Sequence, residues 1–590
     1  MGGLAAGPPS PPCARHAPAK PWRSSRFSRR FLLTTRAGAE GQLALFLVLL
    51  ALLVGFIVYP LVRVLAVAVA SPEGFTLAHF AAFFARPLFI ESLVNTLVGG
   101  VAAVAFGSLI ALPLAVLVAR YDFPGRALIQ TLAVLPLVIP PFVGAVAFQQ
   151  ILGRSGVVNL FLLDTVGFGI PFMEGLTGVV LVQTLHYFPY ILINTAAALQ
   201  GVDPASEEAA QMLGGHGWRL FRRVTLPLAF PGFVAGALIA FIRVIDDLGT
   251  PLMLNYTKLL APQAYLRVTT MGMSDVDGYV ICVILVILSL GALWAAKAFL
   301  GRSEWATLAR GPERIPTRLR GTRTVGAWVI AGLLLGLALL PHAGILILSF
   351  SKVWSFSYLP TRWTLDNYGE ILVRTPYFVW NTLRYALLAA GIDVILGGAI
   401  AWLLLRGTVR GRGVLDAIAT VPLAVPGVVL AIGYLRVFHG WDVPGLGQPL
   451  TATWLILVIA YAVRRLPYTV RAAYATLQQL HVSMEESAQS LGAPPRRTFR
   501  RITLPLMARG LVAGGLIAFI TSAVELASTI LLVPRIELGP LSYGIYIYMQ
   551  SAVGRGPGAA LGVVAIVLVA VGTLAINRLS SRGTASAFRL

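Results

Sequence analysis

The chain has 590 residues, 57% of them hydrophobic and only 12% charged, with a mean hydropathy of +0.80. A soluble domain carries about 25% charged residues, so that class is excluded and an integral membrane protein remains. The net charge of +22 is almost all arginine, since lysine occurs only at Lys20, Lys258, Lys297 and Lys352, and where those charges fall decides between nucleic acid and topology.

Residues 1–41, rich in Pro, Ala, Ser and Arg, read as a disordered basic cytoplasmic tail. Ser28-Arg29-Arg30-Phe31-Leu32 superficially resembles a twin-arginine export signal, but a polar stretch intervenes before the next apolar run, which is long enough to span. The bland reading is a positive flank of the first span. Cys13 in this tail and Cys282 in an apolar run offer neither a disulfide framework nor a metal-ligand pair.

A spanning helix needs about 20 apolar residues. Twelve stretches are expected, six at about 42–66, 92–119, 128–152, 177–200, 228–251 and 278–300. Six more follow at about 324–350, 379–405, 413–437, 450–475, 506–530 and 557–577. With the N-terminal tail placed inside, most of the 46 Lys and Arg fall in the tails and the loops on that side. The positive-inside rule then makes both termini cytoplasmic. The charge is a topology signal, and no basic face is left over for nucleic acid.

The chain contains one polar, basic stretch twice. Residues 208–227 read EAAQMLGGHGWRLFRRVTLP and residues 486–505 read ESAQSLGAPPRRTFRRITLP, at an offset of 278 without a gap. Further upstream Asn95-Thr96-Leu97 matches Asn381-Thr382-Leu383 and Pro140 matches Pro426, at an offset of 286. The second half has therefore lost eight residues between its third and fourth spans, in an external loop. Two parallel six-span repeats make an all-α polytopic membrane protein with twelve transmembrane helices about an axis normal to the membrane. The expected organisation is a tail at 1–41, a first six-span domain at 42–300, a cytoplasmic linker at 301–323 with six arginines, a second six-span domain at 324–580 and a C-terminal tail at 581–590.

Each copy suits docking. Glu208 to Leu213 are good helix formers, Gly214-Gly215 can take a positive φ, and Trp218 to Val224 can form a second short amphipathic helix. Pro227 fits the first turn of the next span. Here the sequence resembles the permease subunits of binding-protein-dependent ABC importers, whose cytoplasmic loop reads Glu-Ala-Ala, three residues, Gly, nine residues, Ile-x-Leu-Pro. The matching residues are Glu208, Ala209, Ala210, Gly214, Val224, Leu226 and Pro227, and Glu486, Ser487, Ala488, Gly492, Ile502, Leu504 and Pro505. Val224 and Ser487 are small departures. The resemblance covers roughly residues 42–580 and implies the type I importer architecture. It implies that each loop offers a coupling helix to one of two copies of a cytoplasmic ATPase subunit, and that an external binding protein delivers substrate. Fusion of two permease halves is similar to the ferric-iron and the thiamine permeases. Asp246-Asp247-Leu248-Gly249-Thr250-Pro251 resembles an acidic–Phe–Gly–x–Pro stretch of the iron group, with Leu248 in place of Phe.

Charges inside spans are costly and are functional candidates. His186, Asp246, Asp247, Arg464, Arg465 and Glu525 are assigned to a translocation pathway, with Arg243, Arg384 and Asp393 as further intramembrane charges. At the 278 offset His186 aligns with Arg464 and Asp247 with Glu525. These groups either line the cavity and its gate or form structural ion pairs between the halves. Arg243 and Asp247, one turn apart, can pair locally. No Gly-x-x-x-x-Gly-Lys-Ser/Thr loop, His-Glu-x-x-His or Cys-x-x-Cys occurs. The chain is therefore expected to be a transporter subunit, not an enzyme, with no catalytic residue, metal ligand or cofactor of its own, ATP and Mg being bound by the ATPase. The expected location is the inner membrane. The expected cargo is ferric iron, with thiamine, an organophosphonate or a polyamine as alternatives. An ion-coupled secondary transporter and an intramembrane enzyme are the readings from other classes.

Overall fold

A backbone inside a bilayer has to satisfy its own hydrogen bonds, and helices do so within one segment. The computed structural model describes residues 27–301, 316–445, 447–550 and 555–581, and these are overwhelmingly helical. All twelve expected stretches contain helix, but among the described residues ten helices are long and apolar enough to cross a membrane, or eleven if one bent pair counts as a span. The exceptions have physical causes. The ninth stretch is two helices, Arg412–Leu423 and Gly427–Phe438, bent by 110°. The tenth, Leu455–Gln478, has the length, but Arg464, Arg465 and Arg471 make it too polar to qualify by composition.

The third stretch is broken like the ninth. Leu135–Leu137 and Val421–Leu423 are matching 3-10 turns with Pro136 and Pro422 near their starts. Pro140 and Pro426 are extended, with ψ of 138° and 143°, and proline cannot donate the hydrogen bond that would continue the helix. The first span also departs from expectation. Its helix begins at Phe27, so residues 27–41, expected as disordered tail, are helical. No proline lies between Pro21 and Pro60, and extending an existing helix is cheap. Residues 1–26 of that tail, 302–315 of the linker and 582–590 at the C-terminus lie outside the described residues.

Within each half the second, fourth and fifth spans form the tightest group: Pro87–Arg120, Gly175–Gln200 and Leu226–Asp246 in the first, Tyr377–Arg406, Leu455–Gln478 and Leu504–Ala523 in the second. Small residues allow the approach. A Cβ on Gly236 would lie 2.7 Å from the Tyr190 carbonyl, and one on Gly514 would lie 2.7 Å from Thr469 Cα.

The first span of each half packs on the broken third span of the other. Gly433 meets Pro60 and Gly344 meets Ile151, while Tyr434 Oη donates to the Phe56 carbonyl at 2.8 Å. The segments ahead of these spans are exchanged too. Thr317–Arg318 pairs in parallel with Tyr121–Asp122, Trp328 Nε1 donates to the Pro124 carbonyl, and Gln42 accepts from Thr408. One buried apolar core accordingly runs through both halves.

Candidate functional site

Both repeated stretches lie on the face where these exchanged segments meet, called the loop face below. In the first, Asp203 accepts from the Ala205 amide and caps the helix Pro204–Met212. Gly214 follows with φ +84°, then Gly217–Leu220 and a π-turn, Phe221–Thr225, that runs into the fifth span. The second has the same parts: Val482–Ser490, Gly492 at φ +88°, Pro495–Thr498 and a π-turn at Phe499–Thr503. The first copy takes positive φ at Gly214 and again at Gly217, the second at Gly492 alone. Gly215 does not take the positive φ that was open to it.

The two loops present their motif outward. Glu208, Ala209, Gly214 and Pro227 are exposed, Ala210 and Leu226 are half-buried, and Glu486, Ser487, Gly492, Leu504 and Pro505 are exposed with Ala488 half-buried. Large apolar side chains stand in the open beside them: Met212 is 91% exposed, Leu213 90%, Trp218 71% and Leu491 90%. Clustered exposed apolar groups on a loop away from the apolar spans mark a protein–protein contact.

One member of each loop was missed by sequence reasoning. Glu207, next to the motif glutamate, is buried and accepts from both terminal guanidinium nitrogens of Arg120, at 2.7 and 2.9 Å, and from the Thr225 hydroxyl. In the second half Glu485 takes Arg406 Nε at 2.9 Å and the Thr503 hydroxyl. Arg120 and Arg406 end the second spans, and Thr225 and Thr503 precede the fifth. The two offsets already carried the signal, because 120 and 406 differ by 286 while 207 and 485, and 225 and 503, differ by 278.

The second site lies between the halves. All six pathway candidates, His186, Asp246, Asp247, Arg464, Arg465 and Glu525, line one cavity of about 180 Å³, together with Arg243, Tyr187, Tyr190 and Tyr468. The broken third span supplies Pro140 and Pro141 to its wall. Asp247 and Glu525 follow the ends of the fifth-span helices, and each accepts from the amide three residues on, Thr250 at 3.1 Å and Ser528 at 3.3 Å. The aligned acids therefore do the same backbone work. Their other partners differ. Asp247 meets Gln183, whereas Glu525 meets Arg464 at 3.1 Å and also Arg465.

Asp246 crosses between halves. It accepts from Arg464 at 2.8 Å and from the Gly427 amide at 2.7 Å, so a carboxylate of the first half sits at a helix N-terminus of the second. Gly427 is required there: a Cβ would fall 1.5 Å from Arg464 Nη1. Arg243 also crosses, to the Tyr468 hydroxyl, and does not pair with Asp247. His186 also stands near His342 and Pro136 and joins none of these ion pairs. Arg384 stacks on Trp454 at 3.9 Å. Asp393 is fully buried and neither carboxylate oxygen has a hydrogen-bond partner. Among the described residues no group of three or more His, Cys, Asp or Glu is placed to hold a metal ion.

On the far face Arg154 and Glu174 form an exposed ion pair beside a cavity of about 870 Å³ that also includes Lys352, Ser355 and Trp354 of the second half. That hydrogen bond holds the Glu174 carboxyl below its usual range and the Arg154 guanidinium above its own.

Comparison with known proteins agrees with this duplication. The model of the binding-protein-dependent transport system inner membrane component family matches residues 85–297 and again 393–584. A Haemophilus influenzae protein named for a ferric transport system permease, FbpB 1, is 27% identical over 522 residues, 85% of this chain and 79% of that one. The ferric transport system permease protein FbpB of Actinobacillus pleuropneumoniae is 27% identical over 497 residues, 81% of this chain and 70% of that one. The molybdenum transport system permease protein ModB of Escherichia coli is 33% identical over 190 residues, 31% of this chain and 82% of that one, so a single-domain permease covers one half at most. The chain is thus a multi-pass inner-membrane permease subunit, not an enzyme, and it belongs to the family of binding-protein-dependent transport system inner membrane components, whose domain it carries twice.

Proposed function

We propose that this chain is the complete pore of an ATP-driven importer and that it carries ferric iron. Two copies of an ATPase subunit, which bind ATP and Mg, dock on the loops at Glu208–Pro227 and Glu486–Pro505. Their closure reorients the two halves, and an external binding protein delivers the cargo at the far face. Both termini and both loops are then cytoplasmic.

The observation that carries this reading is the pair of loops: one backbone geometry twice, each with its motif and bulky apolar side chains facing outward. Two equal clefts on an ATPase pair would receive them. The iron assignment rests on the two relatives named for ferric transport, which match across both halves. The six candidate residues of the central cavity lie on the pathway, and Asp246–Arg464 closes it between the halves in this state. Weak retention suits a conduit, where cargo has to leave as readily as it enters, and the carboxylates here are held by arginine or backbone amides.

Gly214→Val with Gly492→Val tests the loops. Both sites have open space around them, so the fold is retained, but valine resists positive φ. In proteoliposomes with the ATPase and the loaded binding protein, uptake of radiolabelled ferric iron should fall at least ten-fold (about 1.4 kcal/mol) while ATP hydrolysis persists. Full uptake by the double variant would remove the coupling role. Wild-type uptake of molybdate in place of iron would correct the cargo.

A further inference from the structure

The carboxylates of Glu207 and Glu485 each join three elements. Each lies on the first helix of a repeated loop and accepts from an arginine at the end of a second span and from a threonine at the start of a fifth. The first is 3% exposed and its arginine 8%, and the bidentate pairing fixes direction as well as distance. In the second half the arginine spends its other nitrogen on the Leu480 carbonyl at 2.9 Å, just ahead of the loop helix. The arrangement occurs in both halves. Glu208 and Glu486, one residue on, point away to solvent.

The neighbouring elements make this junction a lever. The second span packs along the fourth throughout its length, and the fourth carries Arg464 and Arg465 in the second half and His186 in the first. The fifth span begins at the clasped threonine and ends at Asp246 in the first half and just before Glu525 in the second. A displacement of either loop helix is thereby handed to the fifth span, whose far end reaches the central cavity, and to the second, which packs along the cavity-lining fourth.

We infer that Arg120–Glu207–Thr225 and Arg406–Glu485–Thr503 are positioning clasps that convert movement of the docked loops into movement of the second and fifth spans. This rests on the importer reading above. The clasps do not bind the ATPase. They set how much of its motion reaches the cavity, so losing them should separate ATP hydrolysis from opening without releasing the ATPase.

The test uses the full chain co-expressed with its ATPase subunits in lipid nanodiscs, with spin labels at Ser155 and Ser355, exposed on the two halves of the far face. The distance between labels is measured before and after trapping with ATP and vanadate. In the wild type it should change. In Arg120→Ala with Arg406→Ala the ATPase should co-purify in wild-type amount and hydrolyse ATP, while the distance change drops at least five-fold. Exchanging partners in both halves, Arg120→Glu with Glu207→Arg and Arg406→Glu with Glu485→Arg, should restore it. A full distance change in the alanine variant, or no recovery on exchange, overturns the proposal. If the alanine variant fails to insert, Thr225→Val with Thr503→Val carries the test: the change should at least halve, and an undiminished change overturns the role. A wild-type chain that holds no ATPase instead removes the importer reading and the clasp with it.

Discussion

The two halves agree on the loop face and disagree in the middle of the membrane. On the loop face each half has the same helix, glycine turn, π-turn and clasp, buried in the first half and half-buried in the second. At the cavity the backbone still agrees, since Asp247 and Glu525 each accept from the amide three residues on. The side chains do not. The second half offers Arg464 and Arg465 where the first has His186 and Tyr187, and only the first half has a second acid, Asp246, where the other has Val524. A shared ATPase dimer demands equal handles, whereas a passage between two fused halves can divide its charges unequally. Buried ions need partners, and here the partner of a second-half arginine is a first-half aspartate.

The largest test of this asymmetry is Arg464→Ala against His186→Ala. Removing Arg464 leaves Asp246 with the Gly427 amide and Glu525 with Arg465, and should cost about 3 kcal/mol, read as a lower melting temperature of the purified protein in detergent. The matched histidine is outside the ion-pair network and should cost about 1 kcal/mol. Equal losses would mean that the halves share the load after all.

A smaller effect, of opposite sign, is expected at Asp393. Its position in the first half is Gly107, and it has no bonding partner for either oxygen. An unpaired buried carboxylate is costly, so Asp393→Asn should raise stability by about 1–2 kcal/mol in the same melting assay. Destabilisation would reveal a partner that this state does not contain. The smallest effect is on the far face. Glu174→Gln should leave the melting temperature unchanged near neutral pH, because exposed ion pairs contribute little. The sign of the pH dependence follows from the lowered carboxyl: whatever stability the pair gives is present above the ordinary glutamate range and is lost as pH falls through the lowered value.

Much of this site was legible beforehand. The fixed offset located both loops, and five charges inside apolar runs, with His186 added by its alignment to Arg464, are the six positions that now surround one cavity. Two things were misjudged. Arg243 and Asp247 lie one turn apart, which permits a local pair, but Asp247 is occupied by its own backbone and by Gln183, and Arg243 finds Tyr468 across the interface. Glu207 and Glu485 were passed over because a glutamate beside a motif glutamate looks like solvated helix. Its burial depends on an arginine 87 residues earlier in the chain, and no local pattern records that.

The sequence by itself determined the membrane class, the duplication, the loops and the residue types available for a pathway, because each depends on composition, on spacing or on matching positions along the chain. Only the tertiary structure decided that the first span of each half packs on the other half, that proline breaks the third and ninth stretches, and which carboxylate each arginine holds. Those outcomes depend on which surfaces meet when two repeats close around a shared axis, and a buried charge is settled by whichever partner that meeting brings within about 3 Å.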